Sequence, residues 1–269
     1  MTKTILLLLT FLPLESLAAE NEFFTMDNGI LDVKLISDKA ALLGSLGYDG
    51  ITWRPGKTAE AVKEMTAQGV KMHAFMFNLE VSKDEKANEF PLKDIQALKG
   101  TNAILWVQLI RKGGSDADAV REIKRLNAVA KPLGLRIAIY PHVNNHVETL
   151  EDALRVANLV ADDNVGASLT LCHQLKKRGV QDLAPLLKKA LPKLFIVLVA
   201  GAEIGNTKAM GWDKLIQPLG QGSYDIKRLL QTLKDLNYAG PIGVIGYGIK
   251  QPAKQHLKQS ISYWQGDFS

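Results

Sequence analysis

The chain has 269 residues, of which 46% are hydrophobic and 23% are charged, and 33 basic against 28 acidic residues give it a formal charge of +5. This composition excludes an intrinsically disordered chain, and the length fits one large α/β domain better than two small ones. Basic and aromatic residues do not interleave as they do on nucleic-acid-binding surfaces, and the basic residues are dispersed. Neither a nucleic acid nor a membrane surface is therefore predicted as a partner of the mature chain.

The first residues are typical of an export signal. Lys3 supplies a positive charge, residues 5–14 form an apolar run, and Ser16 and Ala18 place small residues at a cleavage site. The apolar run is about half of the roughly 20 residues that a membrane-spanning helix needs. We therefore predict a signal peptide over 1–18, a mature domain over 19–269, and a periplasmic or secreted location.

Strand-like and helix-like segments alternate along the mature chain. Apolar, β-branched runs predict eight strands, at 23–26, 50–53, 70–76, 103–108, 136–140, 165–171, 194–200 and 241–246. Amphipathic stretches predict helices between them, including 37–46, 58–68, 115–132, 149–161 and 224–236. Eight strand–helix repeats without an interior linker predict a single-domain (β/α)8 TIM barrel, with an active-site loop over 201–222.

Two predicted strands run into a histidine at their carboxyl end. The fifth leads to His142 and the sixth to His173, and α/β barrels keep their chemistry at these strand ends. His146 follows His142 either as a functional group or as part of a helix cap, and His256 in the last helix is predicted at the surface. Cys172, the single cysteine, falls in a predicted strand as a buried hydrophobic group rather than a nucleophile.

Five short motifs occur in a family-specific order along the chain. They are Gly-Tyr-Asp-Gly-Ile at 47–51, Ile-Tyr-Pro-His at 139–142, Val-Gly at 165–166 with Cys-His at 172–173, Leu-Gly-Gln-Gly at 219–222, and Tyr-Ala-Gly-Pro-Ile at 238–242. In this order the chain resembles the sugar phosphate isomerase/epimerase superfamily, the xylose isomerase-like TIM barrels. The resemblance covers about 23–264, and it implies proton transfer next to a sugar carbonyl, with a divalent metal held by Glu, Asp, His and a second Glu.

The metal ligands of that family are missing at the matching positions. Tyr140 stands in place of the first Glu, and Thr170 stands in place of the Asp in the family's Asp-x-x-His. No histidine occurs between His173 and His256, and no acidic residue occurs from 236 to 266. A Mg²⁺ or Mn²⁺ site made mainly of oxygen anions cannot be assembled from these positions.

Three alternatives remain for the chemistry of the site. A different metal site can be composed of His142 and His173 with Glu148 or Glu203, binding one zinc, manganese or iron ion. The two histidines can also act without metal as general acid and base, since their ordinary pKa suits proton transfer at neutral pH. The third alternative is a carbohydrate-binding barrel without catalysis. The glycine-rich stretch 240–246 matches no nucleotide-binding pattern, so no nucleotide cofactor is predicted.

The predicted function is that of an exported isomerase, epimerase or lyase acting on a free or keto sugar or glycoside. One of His142 and His173 serves as the base and the other as the acid, Tyr140 or Gln108 polarises the carbonyl, and Glu203 is a further ligand or base. Aromatic, amide and guanidinium groups at strand ends hold sugars well. The predicted substrate-binding residues are Trp53, Arg54, His73, Gln108, Gln221 and Tyr247. An endonuclease would need more metal ligands than the chain offers.

Overall fold

The eight predicted strands form a closed barrel in the computed structural model, which describes residues 21–267. Every neighbouring pair is parallel, the strands follow one another in chain order, and the last pairs with the first. The strands are β1 Phe23–Thr25, β2 Gly50–Trp53, β3 Lys71–Val81, β4 Ile104–Arg111, β5 Arg136–Tyr140, β6 Val165–Thr170, β7 Leu194–Val199 and β8 Ile242–Val244. The TIM barrel is confirmed, while the predicted signal peptide lies outside the described residues.

Helices surround the barrel. They are α1 Ile36–Leu46, α2 Thr58–Ala67, α3 Leu92–Ala97, α4 Asp116–Ala130, α5 Leu150–Val160, α6 Leu171–Arg178, α7 Ala184–Ala190, α8 Trp212–Leu215, α9 Ile226–Asp235 and α10 Ala253–Asp267. Among the described residues, no helix combines the length and the apolar character that crossing a membrane requires.

Local sequence explains why these elements form where they do. The strands β6 and β7 are buried along their whole length, as expected for parallel strands with side chains inside and helices outside. Helices α4 and α5 each begin with a capping box, in which Ser115 pairs with Asp118 and Thr149 pairs with Asp152. These caps satisfy backbone N–H groups that would otherwise lack partners.

Two strands extend further than their sequence patterns predict. Strands β3 and β4 run to Val81 and Arg111, past 76 and 108, and remain paired with each other to their last residues. Their carboxyl ends therefore rise above the barrel and form one wall of its open end. The pairing with a neighbouring strand, which is not a local property, sets their length.

Two sequence predictions about buried residues are wrong. Cys172 is buried as expected, but it lies in the first turn of α6 because β6 ends at Thr170. His256 is buried rather than at the surface, with only 3% of the residue exposed. Its ring packs against Gly29 and Gly246, where the absence of side chains leaves room for an imidazole.

Candidate active site

A cavity of about 520 Å³ opens at the carboxyl ends of the strands. This volume is within the range of small-molecule sites, about 300–1,000 Å³. Polar, aromatic and aliphatic side chains from most of the strand ends, together with residues in and next to α8, line it. They are Met26, Asn28, Arg54, Pro55, Met76, Phe77, Asn78, Gln108, Tyr140, His142, His173, Trp212, Ile216, Ile245 and Tyr247.

Tyr140, His142 and His173 form a compact group in this cavity, which we call the Tyr–His–His cluster. The two imidazole ring centroids are 4.1 Å apart, and the Tyr140 hydroxyl lies 3.5 Å from Nε2 of His173. Trp212 packs its ring against the His173 ring at 5.1 Å between centroids. Nδ1 of His173 is buried without a hydrogen-bond partner among the described residues, so one polar atom of the cluster is left for a ligand or water.

The barrel interior fixes the orientation of the cluster. The Trp106 ring packs against Tyr140 at a tilt of 42°, with 4.4 Å between ring centroids, and its indole N–H donates a 2.7 Å hydrogen bond to Oγ of Ser168. That hydroxyl donates in turn to the carbonyl of Ile139 at 2.9 Å. On the other side, Nδ1 of His142 lies 2.8 Å from the carbonyl of Val143. A proton on Nδ1 satisfies this contact and leaves Nε2 of His142 as the basic atom.

Burial keeps both imidazoles of the cluster in their neutral form. Desolvation, together with repulsion from His142, lowers the pKa of His173 well below its ordinary value of 6.5. Desolvation also lowers the pKa of His142, against a smaller opposing effect of its backbone hydrogen bond to Val143. Burial raises the pKa of Tyr140, so its hydroxyl keeps its proton. The cluster therefore contains two neutral bases beside one hydroxyl that can donate a hydrogen bond.

An ion pair between Arg54 and the largely buried Asp27 lies at the rim of the cavity, and sequence reasoning missed Asp27. Oδ2 of Asp27 lies 3.1 Å from Nε of Arg54, and Thr52 exchanges hydrogen bonds with the backbone N–H and the carboxylate of Asp27. Desolvation raises the pKa of Asp27, while Arg54 opposes that shift. The signal that could have indicated Asp27 is its position directly after the first predicted strand.

Most of the sequence-predicted residues at the later strand ends meet in the cavity. Besides the Tyr–His–His cluster, Arg54, Gln108 and Tyr247 line it. Trp212 and Ile216 also reach it, so the long connection between β7 and α9 contributes to the site as predicted. Asn28, Asn78 and Trp212 were not predicted as site residues. Asn78 lies in the part of β3 beyond the predicted strand, and Trp212 lies in the predicted loop 201–222, whose sequence does not show which side chains face the cavity.

Three predicted substrate-binding residues lie outside the cavity. Trp53 points away and donates its indole N–H to the carbonyl of Gly56. His73 is early in β3, at the amino ends of the strands, where its Nε2 lies 3.3 Å from Glu22. Gln221 donates its amide to the side chain of Gln259 at 3.0 Å.

The carboxylates predicted as metal ligands or bases are also held elsewhere. Glu148 pairs with Lys177 at 2.6 Å and accepts the backbone N–H of Asn144 at 2.8 Å. Glu203 accepts a 2.7 Å hydrogen bond from Ser223. His146 is outside the cavity too, with Nε2 2.8 Å from Asp116.

The residues present do not fit a metal site of the kind that the resemblance implies. Among residues 21–267, no three or more His, Cys, Asp or Glu side chains are gathered so that they could hold an ion. The set proposed from the sequence, His142 and His173 with Glu148 or Glu203, is therefore not assembled. Within 21–267, none of the residues that line the cavity is an Asp or a Glu, and the carboxylate of Asp27 is paired with the lining residue Arg54.

The fold and the cavity define an eight-stranded α/β barrel with a small-molecule site at the carboxyl ends of its strands. The chain belongs to the xylose isomerase-like TIM barrel family, whose family model matches residues 40–265. An inosose isomerase from Bacillus licheniformis is 26% identical over 176 residues, which are 61% of this chain and 62% of that protein. The chain thus spans less than two thirds of this curated relative.

Solved structures share the fold over nearly the whole chain. The IOLI protein with a bound zinc atom has a TM-score of 0.73 and 19% identity, covering 92% of this chain and 99% of that one. A 3-keto-D-glucoside 4-epimerase from E. coli has a TM-score of 0.71 and 18% identity, covering 92% and 100%. At these identities, the likeness establishes the architecture.

Proposed function

We propose that the protein moves a proton next to the carbonyl of a free or keto sugar or glycoside, as an isomerase, epimerase or lyase. The observation that carries the proposal is the pair of neutral imidazoles, 4.1 Å apart between ring centroids, in a sugar-sized cavity beside a protonated tyrosine. Family membership and the resemblance to an inosose isomerase and a 3-keto-D-glucoside 4-epimerase support it.

Each residue of the Tyr–His–His cluster has a defined role in the proposed proton transfer. A carbonyl acidifies the neighbouring C–H, and a neutral imidazole with a basic Nε2 can take that proton. The Tyr140 hydroxyl donates a hydrogen bond to the carbonyl oxygen, where negative charge develops. The imidazole that has taken the proton gives it back on the product side, either directly or through the second imidazole, so both rings end neutral. Because burial disfavours the charged imidazole, the proton returns readily to substrate or solvent.

Solvent exchange tests this proposal directly. The mature protein would be incubated in D₂O with an inosose, a methyl 3-keto-glucoside and D-psicose, and NMR would follow the loss of the C–H signal next to the carbonyl. We expect exchange with at least one substrate, and a loss of about 100-fold or more in His142→Asn and His173→Asn. His146→Asn is the matched control, because it removes an imidazole outside the cavity.

Two results would contradict the proposal. Exchange at the wild-type rate in both cluster variants would exclude the imidazoles as the proton-transfer groups. Tight sugar binding without exchange would indicate the non-catalytic binding barrel. Each assay would be run after dialysis against a chelator and again with added Zn²⁺ or Mn²⁺. The comparison distinguishes acid–base chemistry without metal from metal-dependent chemistry.

Export belongs to the same proposal, because it decides which sugars the protein meets. The charge, apolar run and small residues of 1–18 support a periplasmic or secreted protein, and hence a substrate without phosphate. The amino-terminal sequence of the protein recovered from the periplasm or medium tests this. A chain that stays uncleaved in the cytosol would contradict it.

A further inference from the structure

We propose that the substrate is a sugar acid, whose carboxylate binds Arg54 at the rim of the cavity. This inference rests on the proposed carbohydrate function and narrows it to a class of substrate. Arg54 is the only residue lining the cavity that carries a formal charge at neutral pH, within the part of the chain that the structure describes. Among the lining residues, the guanidinium of Arg54 is therefore the one positively charged group that a ligand in this cavity can contact.

The guanidinium of Arg54 is held in place and still has free donors. Its Nε lies 3.1 Å from Oδ2 of Asp27, whereas its two Nη atoms donate no hydrogen bond to any of residues 21–267. The side chain of Arg54 is 45% exposed, while that of Asp27 is 13% exposed. Asp27 is itself anchored by Thr52, through the 3.0 Å hydrogen bond from its backbone N–H. A guanidinium fixed along one edge offers its other N–H groups in the geometry that a carboxylate accepts.

The charges at the rim do not cancel. Lys39 also acts on Asp27, so two cations stand beside one carboxylate. Asp32 and Lys34, the other charged groups that act on Lys39, are exposed and shift its pKa in opposite directions. The neutral imidazoles of the Tyr–His–His cluster add no charge. The formal charges of Arg54, Lys39, Lys34, Asp27 and Asp32 leave a net positive charge at the rim, which a ligand carboxylate complements and sugar hydroxyls do not.

The position of Arg54 suits a carboxylate on the same molecule as the reacting carbon. Arg54 is close enough to the Tyr140 hydroxyl to oppose the burial that raises the pKa of Tyr140. A sugar anchored by its carboxylate at Arg54 thus extends across the cavity toward the cluster. The side-chain amides of Asn28, Asn78 and Gln108 line the same cavity and can bind ring hydroxyls.

Paired ligands that differ in one group test the inference. D-Glucuronate would be compared with D-glucose, and D-galacturonate with D-galactose, by calorimetric titration of the mature protein. We expect each acid to bind at least 10-fold more tightly than its neutral counterpart, with the preference weakening at high salt. In Arg54→Gln the affinity for the acid should fall at least 10-fold more than the affinity for the neutral sugar. Arg228→Gln is the matched control, because Arg228 is 71% exposed and lies outside the cavity.

The outcomes separate this inference from the function on which it rests. Equal affinity for acid and neutral sugar, or an equal loss for both in Arg54→Gln, would overturn the inference and leave carbohydrate binding intact. Tighter binding of glucose 6-phosphate than of glucuronate would also overturn it, because it would assign the charge to a phosphate. Absence of binding to every ligand would overturn it together with the carbohydrate function.

Discussion

Replacing His173 by asparagine should make the protein more resistant to mild acid. His173 is 4% exposed, and its pKa is held well below 6.5, mainly by desolvation and secondarily by His142. An unfolded chain has no such constraint, so between the folded and unfolded pKa values it binds a proton that the folded state does not. Folding stability must therefore fall as the pH drops below about 6.5.

The size of this effect follows from the two protonation equilibria. The unfolded histidine has a pKa of 6.5, whereas the folded His173 stays neutral. At about pH 5.5, protonation therefore stabilises the unfolded state by RT ln(1 + 10), which is about 1.4 kcal/mol. At about pH 7.5 the same term is below about 0.1 kcal/mol. From about pH 7.5 to about pH 5.5, the free energy of unfolding of the variant should therefore fall by about 1.4 kcal/mol less than that of the wild type.

Urea unfolding at both pH values, followed by circular dichroism, measures this difference. Tyr140→Phe is the control, because it alters the same cluster without removing a group that titrates in this range. Its stability should depend on pH as in the wild type. If the free energy of unfolding depended on pH equally in His173→Asn and in the wild type, the reasoning would be refuted. Such a result would mean that His173 is protonated in the folded protein as easily as a histidine exposed to water.

Two further predictions concern the barrel interior. Ser168→Ala should destabilise the protein by about 1–3 kcal/mol in urea unfolding, because the buried indole N–H of Trp106 loses its acceptor; an unchanged midpoint would contradict this. Gly243→Ala should lower the free energy of unfolding by about 1–3 kcal/mol, because the new methyl group would overlap the Phe24 ring. Gly266→Ala in α10 has open space around it and should leave stability unchanged or raised, so a similar loss there would refute the steric explanation.

The candidate site shows where inference from sequence stops. The cluster was predictable, because strand-end residues of a parallel barrel must meet at one face, and Tyr140, His142 and His173 are marked by the strands that precede them. Glu148 and Glu203 follow strands in the same way, yet each is drawn to a partner on a neighbouring segment. Sequence distance from a strand end limits how far a loop residue can reach, but it does not set the direction.

The sequence by itself determined the barrel, since apolar runs and amphipathic stretches of the right lengths are local properties and each specifies its own element. Through its resemblance to the family, the sequence also predicted that the family's metal ligands are replaced, with Tyr140 and Thr170 in place of two of them. Only the tertiary structure decided that Asp27 and Arg54 pair at the rim and that His256 is buried. It also showed that no three metal-binding side chains converge among the described residues. These features depend on contacts between segments far apart in the chain, and the packing of the whole barrel sets them.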